Sequence, residues 1–174
     1  MTRPNKLLYS FLFLLFLPGL ALSLPDDRDK PITGKAEKTT IDANSGKTIL
    51  TGNVVIRQGL LTIFADQVTI ENEETTNKTK YIVATGNPVQ FTDTPTLDKP
   101  PVEVTGQQIE FFVLDDLIIT LGNARIVNGG NEALGERIQY NTVTGLMTIE
   151  GECALNNSDN CQQAEFILQP GAEN

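Results

Sequence analysis

Residues 50–71 read LTGNVVIRQGLLTIFADQVTIE, and this stretch decides the fold. Val68 and Ile70 alternate with Gln67, Thr69 and Glu71, the period-two pattern of a strand with one face buried. The same alternation returns at Ile109 and Phe111 and at Ile138 and Tyr140. Gly52-Asn53 and Gln58-Gly59 interrupt the apolar runs with residues that tolerate turn backbone. Read this way, the unit has room for about four strands, near Lys47 to Leu50, Asn53 to Arg57, Leu61 to Phe64 and Asp66 to Glu71.

Sliding the chain on itself by 70 positions lays Gly52-Asn53 on Gly122-Asn123, Ile56 on Ile126, Gly59 on Gly129, Asp66 on Glu136 and Val68 on Ile138. A small residue followed by an acid or amide recurs at Ala36-Glu37, Ala65-Asp66, Gly106-Gln107, Gly135-Glu136 and Ala164-Glu165, at intervals of 29, 41, 29 and 29. The irregular interval carries two insertions, in Glu71 to Lys80 and around Thr92 to Pro101, both of which lengthen turns. Four such units predict an all-β fold of about sixteen short antiparallel strands built from internal repeats. Columns at equivalent positions, Thr39, Val68, Ile109, Ile138, Ile167 and Ile41, Ile70, Phe111, Tyr140, Gln169, face one interior. Their weakest members fall in the first and last units, where a repeat array loses a neighbour on one side. Phe112, Val113, Leu117 and Leu121 fit a helical stripe, but the β-branched run Ile118-Ile119-Thr120 favours a strand.

The amino terminus has a different character. Arg3 and Lys6 precede an apolar stretch from Leu7 to Leu17 and then Pro18-Gly19, with Ala21-Leu22-Ser23 supplying small residues for cleavage. Residues 1–23 are therefore expected to be a secretory signal, and 24–174 a single mature domain. The apolar stretch is shorter than the roughly 20 residues a membrane-crossing helix needs. Losing Arg3 and Lys6 moves the net charge from −9 to −11, which opposes nucleic acid and anionic membrane surfaces.

No histidine or tryptophan occurs, so the familiar nucleophile–base pair cannot be assembled. The repeated acids Glu37, Asp66, Glu136 and Glu165 read as turn or bulge features beside a small residue, and no clustered His or Cys turns them into a metal site. Asp115-Asp116 reads as a turn. No catalytic, cofactor or metal site is expected. Cys153 and Cys161 bracket the polar segment Leu155 to Asn160, which reads as a hairpin tip. In an oxidising compartment a disulfide between them is preferred to two separate thiols.

Leu50-Thr51-Gly52-Asn53-Val54-Val55-Ile56, Gln58-Gly59, Ala65-Asp66-Gln67-Val68, Gly86-Asn87-Pro88-Val89-Gln90-Phe91 and Leu121-Gly122-Asn123-Ala124 carry a further signal in their order and spacing. Together they resemble the OstA family of periplasmic lipopolysaccharide-transport proteins, over essentially the whole mature chain. The resemblance implies a twisted β-jellyroll, open at its ends, that holds lipopolysaccharide in an apolar groove and hands it from the inner-membrane complex towards the outer membrane. It implies partners in the related jellyrolls of inner-membrane LptC and outer-membrane LptD, and end-to-end association of like copies. Family lipid contacts map onto Ile32, Phe91, Phe111 and Val113, while Gly34 stands where a second apolar side chain is expected. The competing reading is an exported β-repeat scaffold that binds glycan or protein, with a sealed core instead of a groove.

Overall fold

Gly52, Gly86 and Gly122, each in the middle of its repeat, bend a strand instead of ending it. The computed structural model describes residues 30–76, 78–94, 100–156 and 161–170, so the expected signal at 1–23 lies outside them. The described residues form β1 (Thr33–Lys35), β2 (Lys38–Asp42), β3 (Lys47–Gln58), β4 (Leu61–Asn72), β5 (Thr79–Asp93), β6 (Val102–Phe112), β7 (Leu117–Asn128), β8 (Asn131–Asn141), β9 (Met147–Glu150), the short helix α1 (Glu152–Asn156) and β10 (Glu165–Ile167). All pairing is antiparallel, in the order β1-β3-β4-β5-β6-β7-β8-β10, with β2 added on β3 and β9 on β8.

The expected sixteen strands are thus corrected to ten among the described residues. Lys47 to Leu50 and Asn53 to Arg57 are two arms of β3, and Leu61 to Phe64 and Asp66 to Glu71 are two arms of β4. Between the arms, Gly52 and Asn53 take the left-handed backbone (φ 82° and 45°) and stand opposite Asp66 alone, so pairing resumes at Val54 with Ala65. A turn would have reversed the chain there, whereas a bulge bends it and lets the ladder continue. Equivalent shifts lie at Gly86 to Pro88, where the Asn87-Pro88 peptide is cis, at Gly106-Gln107 and at Gly122-Asn123. The acid or amide of the repeat packs over the next bulge: a Cβ on Gly52 would strike Glu37, and one on Gly122 would strike Gln107. Glu37 also accepts a hydrogen bond from the Asn53 amide at 2.6 Å.

The bulges fold the sheet onto itself. Phe91 pairs with Val104, and Phe111 lies seven residues further along β6. On a straight strand that is roughly 23 Å. Yet the Phe91 and Phe111 rings meet edge to face with centroids 6.0 Å apart, so the two arms of the sheet face each other as layers. One layer carries the inward row Gly34, Ile56, Ile63, Phe91, Val104, Ile126, Ala133 and Phe166, each registered on the next. The other carries Leu50, Val68, Ala84, Ile109, Thr120, Ile138 and Ile149, and beside it Thr48, Ile70, Ile82, Phe111, Ile118, Tyr140 and Met147. The middle members of all three rows are buried, and burying each large aliphatic contributes about 1.5–3 kcal/mol.

The ends of the columns read from the sequence are not buried. Thr39, Ile41, Ile167 and Gln169, which end the two columns, are exposed. Each layer therefore presents an edge at either end, β1 and β2 on one side and β9 and β10 on the other.

The carboxy-terminal unit departs from the repeat. Cys153 and Cys161 are joined by a disulfide with Cα atoms 4.9 Å apart, but Cys153 sits in α1 and not on one strand of a hairpin. This corrects the start of the expected hairpin tip, whose residues Asn157 to Asn160 lie outside the described residues. The local sequence Glu152-Cys153-Ala154-Leu155 holds good helix formers and no β-branched residue, and Ala154 donates back to the Gly151 carbonyl at 3.1 Å. Gly151 has no room for a side chain because the backbone of Gln162 to Ala164 passes over it.

Candidate functional site

The layers part at the carboxy-terminal end. Where the first row reaches Ala133 the side chain shrinks, and the two facing rows offer Ile149 and, beside it, Tyr140 and Met147 across a gap. The result is a cleft of about 580 Å³ that is floored by Ile126, Ala133 and Ile149, walled by Tyr140 and Met147, and closed on its outer side by Phe166 and Leu168. Phe166 and Leu168 are 67% and 68% exposed, so this wall is itself open to solvent. The strand bearing Phe166 is held to β8 by three register pairs, and Gln169 N–H donates to Asn131 Oδ1 at 3.0 Å.

The rim is polar. Asn128 donates to the Tyr140 hydroxyl at 3.4 Å, and burial raises the Tyr140 pKa above its ordinary value. Among the described residues Glu132 is the only charged side chain in the lining, with no lysine or arginine there, and Arg125 holds it at 2.6 Å. Such a site accepts hydrocarbon and leaves a charged headgroup outside. Among the described residues, no three His, Cys, Asp or Glu side chains gather to hold a metal ion.

The four residues expected to touch lipid fall elsewhere. Phe91 and Phe111 meet in the middle of the core, both buried. Ile32, before β1, and Val113, after β6, are partly buried against the same core, and Val113 N–H donates to the Lys80 carbonyl at 3.0 Å. None of the four lines the cleft. Ala133, Met147, Ile149, Phe166 and Leu168 were not singled out from the sequence as contacts, since a residue's place at a mouth depends on where the layers separate. At the opposite end Gly34 explains its missing side chain: a Cβ there would come within 2.8 Å of Leu50 Cδ2 and 3.2 Å of Ile56 Cδ1, so the layers already fill that space.

The described residues define a two-layered antiparallel β-jellyroll, bent along a line of bulges and open at an apolar end. Residues 34–146 match the family described as LptA/(LptD N-terminal domain) LPS transport protein, and the chain belongs to that family. It is 28% identical over 152 residues to the lipopolysaccharide export system protein LptH of Pseudomonas aeruginosa, covering 87% of this chain and 86% of that one. It is 27% identical over 136 residues to the lipopolysaccharide export system protein LptA of Escherichia coli strain K12, covering 78% and 72%. The crystal structure of the Pseudomonas aeruginosa LptH superposes with a TM-score of 0.73 at 23% identity, over 84% of this chain and 100% of that one.

Proposed function

We propose that this protein is a periplasmic carrier that shelters the acyl chains of lipopolysaccharide between its two layers and passes the molecule along a bridge from the inner to the outer membrane. The observation that carries the reading is the cleft between the layers, whose apolar floor is continuous with the core. Residues 1–23 serve as the export signal in this reading. The acyl chains enter past Ala133 and extend inward towards Phe111 and Phe91, with Val113 and Ile32 as further contacts towards the far end. The free edges of β1 and β2 and of β9 and β10 pair with the neighbouring jellyrolls, an LptC-like one on the inner-membrane side, an LptD-like one on the outer-membrane side, or further copies of this chain. In this reading a partner supplies the energy for directed movement.

The test is mass spectrometry of lipopolysaccharide that co-purifies with the mature chain. Ala133→Phe fills the cleft floor and should leave a folded protein with at least about tenfold less bound lipid, whereas Ile41→Phe, at an exposed position of the far end, should lower the load much less. A parent chain that carries none, or a filled cleft that carries as much as the parent, would leave the protein a scaffold and not a carrier.

A further inference from the structure

Two short strands extend β8 at the open end, and they are built differently. β9 joins it through four register pairs and sends Met147 and Ile149 against the core, both partly buried. β10 joins it through three pairs, and all three of its residues are exposed. Phe166 and Leu168 point to one side of the extended chain and wall the cleft, yet both stay mostly in water. A permanent wall would bury such side chains, so this one gains little from burial where it stands.

The segment is held unequally along its length. At its base the backbone of Gln162 to Ala164 lies so close to Gly151 that a Cβ there would come within 2.5 Å of the Ala164 nitrogen. Cys153 N–H donates to the Gln162 carbonyl at 3.3 Å, Gln162 N–H donates to the Glu152 carboxylate at 3.4 Å, and the Cys153–Cys161 disulfide fixes the same place covalently. At its tip Gln169 N–H donates to Asn131 Oδ1 at 3.0 Å, and the Gln169 side chain rests beside Gly130 on the turn between β7 and β8. Between base and tip run the three ladder pairs of β10, whose net gain is comparable to the chain entropy that ordering them costs.

We propose that residues 165–169 form a latched strap over the mouth of the cleft, a lid hinged at its disulfide-bound base and released at Gln169. The inference rests on the carrier reading above and adds the control of its site. With the strap down, Phe166 and Leu168 complete the outer wall and narrow the mouth. With it raised, Ala133 and Ile149 lie open to an entering chain, and the same movement bares the edge of β8 at Glu132 to Leu134. The firm base keeps the lid attached while the light latch lets it swing. Loading then proceeds at a rate set by the fraction of molecules whose strap is up.

The probe is N-phenyl-1-naphthylamine, a neutral apolar dye whose fluorescence rises on leaving water, mixed with the mature chain by stopped flow. Glu132→Cys with Ile167→Cys, at register partners, ties the tip of the strap to β8 once oxidised, and Glu132→Ser with Ile167→Ser is its unbonded control. Gln169→Pro removes the latching N–H and leaves the cleft side chains unchanged. The clamped chain should take up dye at least about tenfold more slowly than the serine control, and Gln169→Pro at least about threefold faster than the parent with the parent's urea midpoint. Uptake by the clamped chain as fast as by its control, or by Gln169→Pro as slow as by the parent, would overturn the strap and leave the carrier intact. A lowered midpoint in Gln169→Pro would overturn it as well, by making the latch part of the fold. Uptake by none of the forms would remove the strap, and the lipopolysaccharide recovered with the parent then decides the carrier reading separately.

Discussion

The two ends of the jellyroll are built from equivalent repeat positions and finish differently. At the amino-terminal end Gly34 brings β1 against Leu50 and Ile56, so the layers touch and the gap closes. At the carboxy-terminal end Ala133 holds the matching place in the row, and the facing Met147 and Ile149 leave it room, so a cleft opens. The first end is trimmed by removing a side chain and filling the space from across the core. The second is kept open by a small residue and then braced from outside by a disulfide and a short strand. A single repeat thus yields a closed mouth or an open one according to which side chains project from its last strand, with the bulge line unchanged.

The largest expected effect comes from the contact that separates the ends. Phe111→Ala removes one of the two rings joining the layers at mid-core and should cost about 3–5 kcal/mol in urea unfolding. A loss below about 1 kcal/mol would mean that the layers do not rest on each other there.

A smaller effect, confined to one end, follows from removing the disulfide. Cys153→Ser with Cys161→Ser releases a loop with a sequence separation of 8 and should cost about 2–3 kcal/mol at most. Native-state hydrogen exchange should quicken at the amides of Phe166 and Ile167 and stay unchanged at Gly34. Equal quickening at both ends would show that the bracing is global and dissolve the contrast.

The smallest effect is alkaline. Burial raises the pKa of Tyr81 from 10.0 to about 12, with the charges of Glu110 and Glu71 adding to it, and burial raises that of Tyr140 in the cleft as well. A phenol whose folded pKa is raised holds its proton more tightly in the folded chain than in the unfolded one. The stability it contributes is complete below pH 10 and is lost as the pH rises through about 12. Tyr81→Phe should flatten that decline in denaturant titrations, and Tyr140→Phe should flatten its own share while also altering lipid load. A Tyr81→Phe decline as steep as the parent's would assign the alkaline sensitivity to other groups.

The sequence by itself determined the strand class, the repeat, the inward columns and the nearness of the two cysteines, because each follows from local periodicity or from spacing along one chain. Val68, Ile109 and Ile138 could be read as one buried face without any knowledge of what covers them. The strand count could not be read, since Gly52-Asn53 has the same composition whether it reverses the chain or bends it, and only pairing with Ala65 and Gln67 decides between the two. The place of the site was equally hidden. Phe91 and Phe111 meet each other in the core away from the cleft, while Ala133 looks like an ordinary small residue and floors the cleft. Whether an inward side chain packs against protein or against a gap depends on the separation of two layers that are distant in sequence, and that separation exists only once the sheet has folded onto itself.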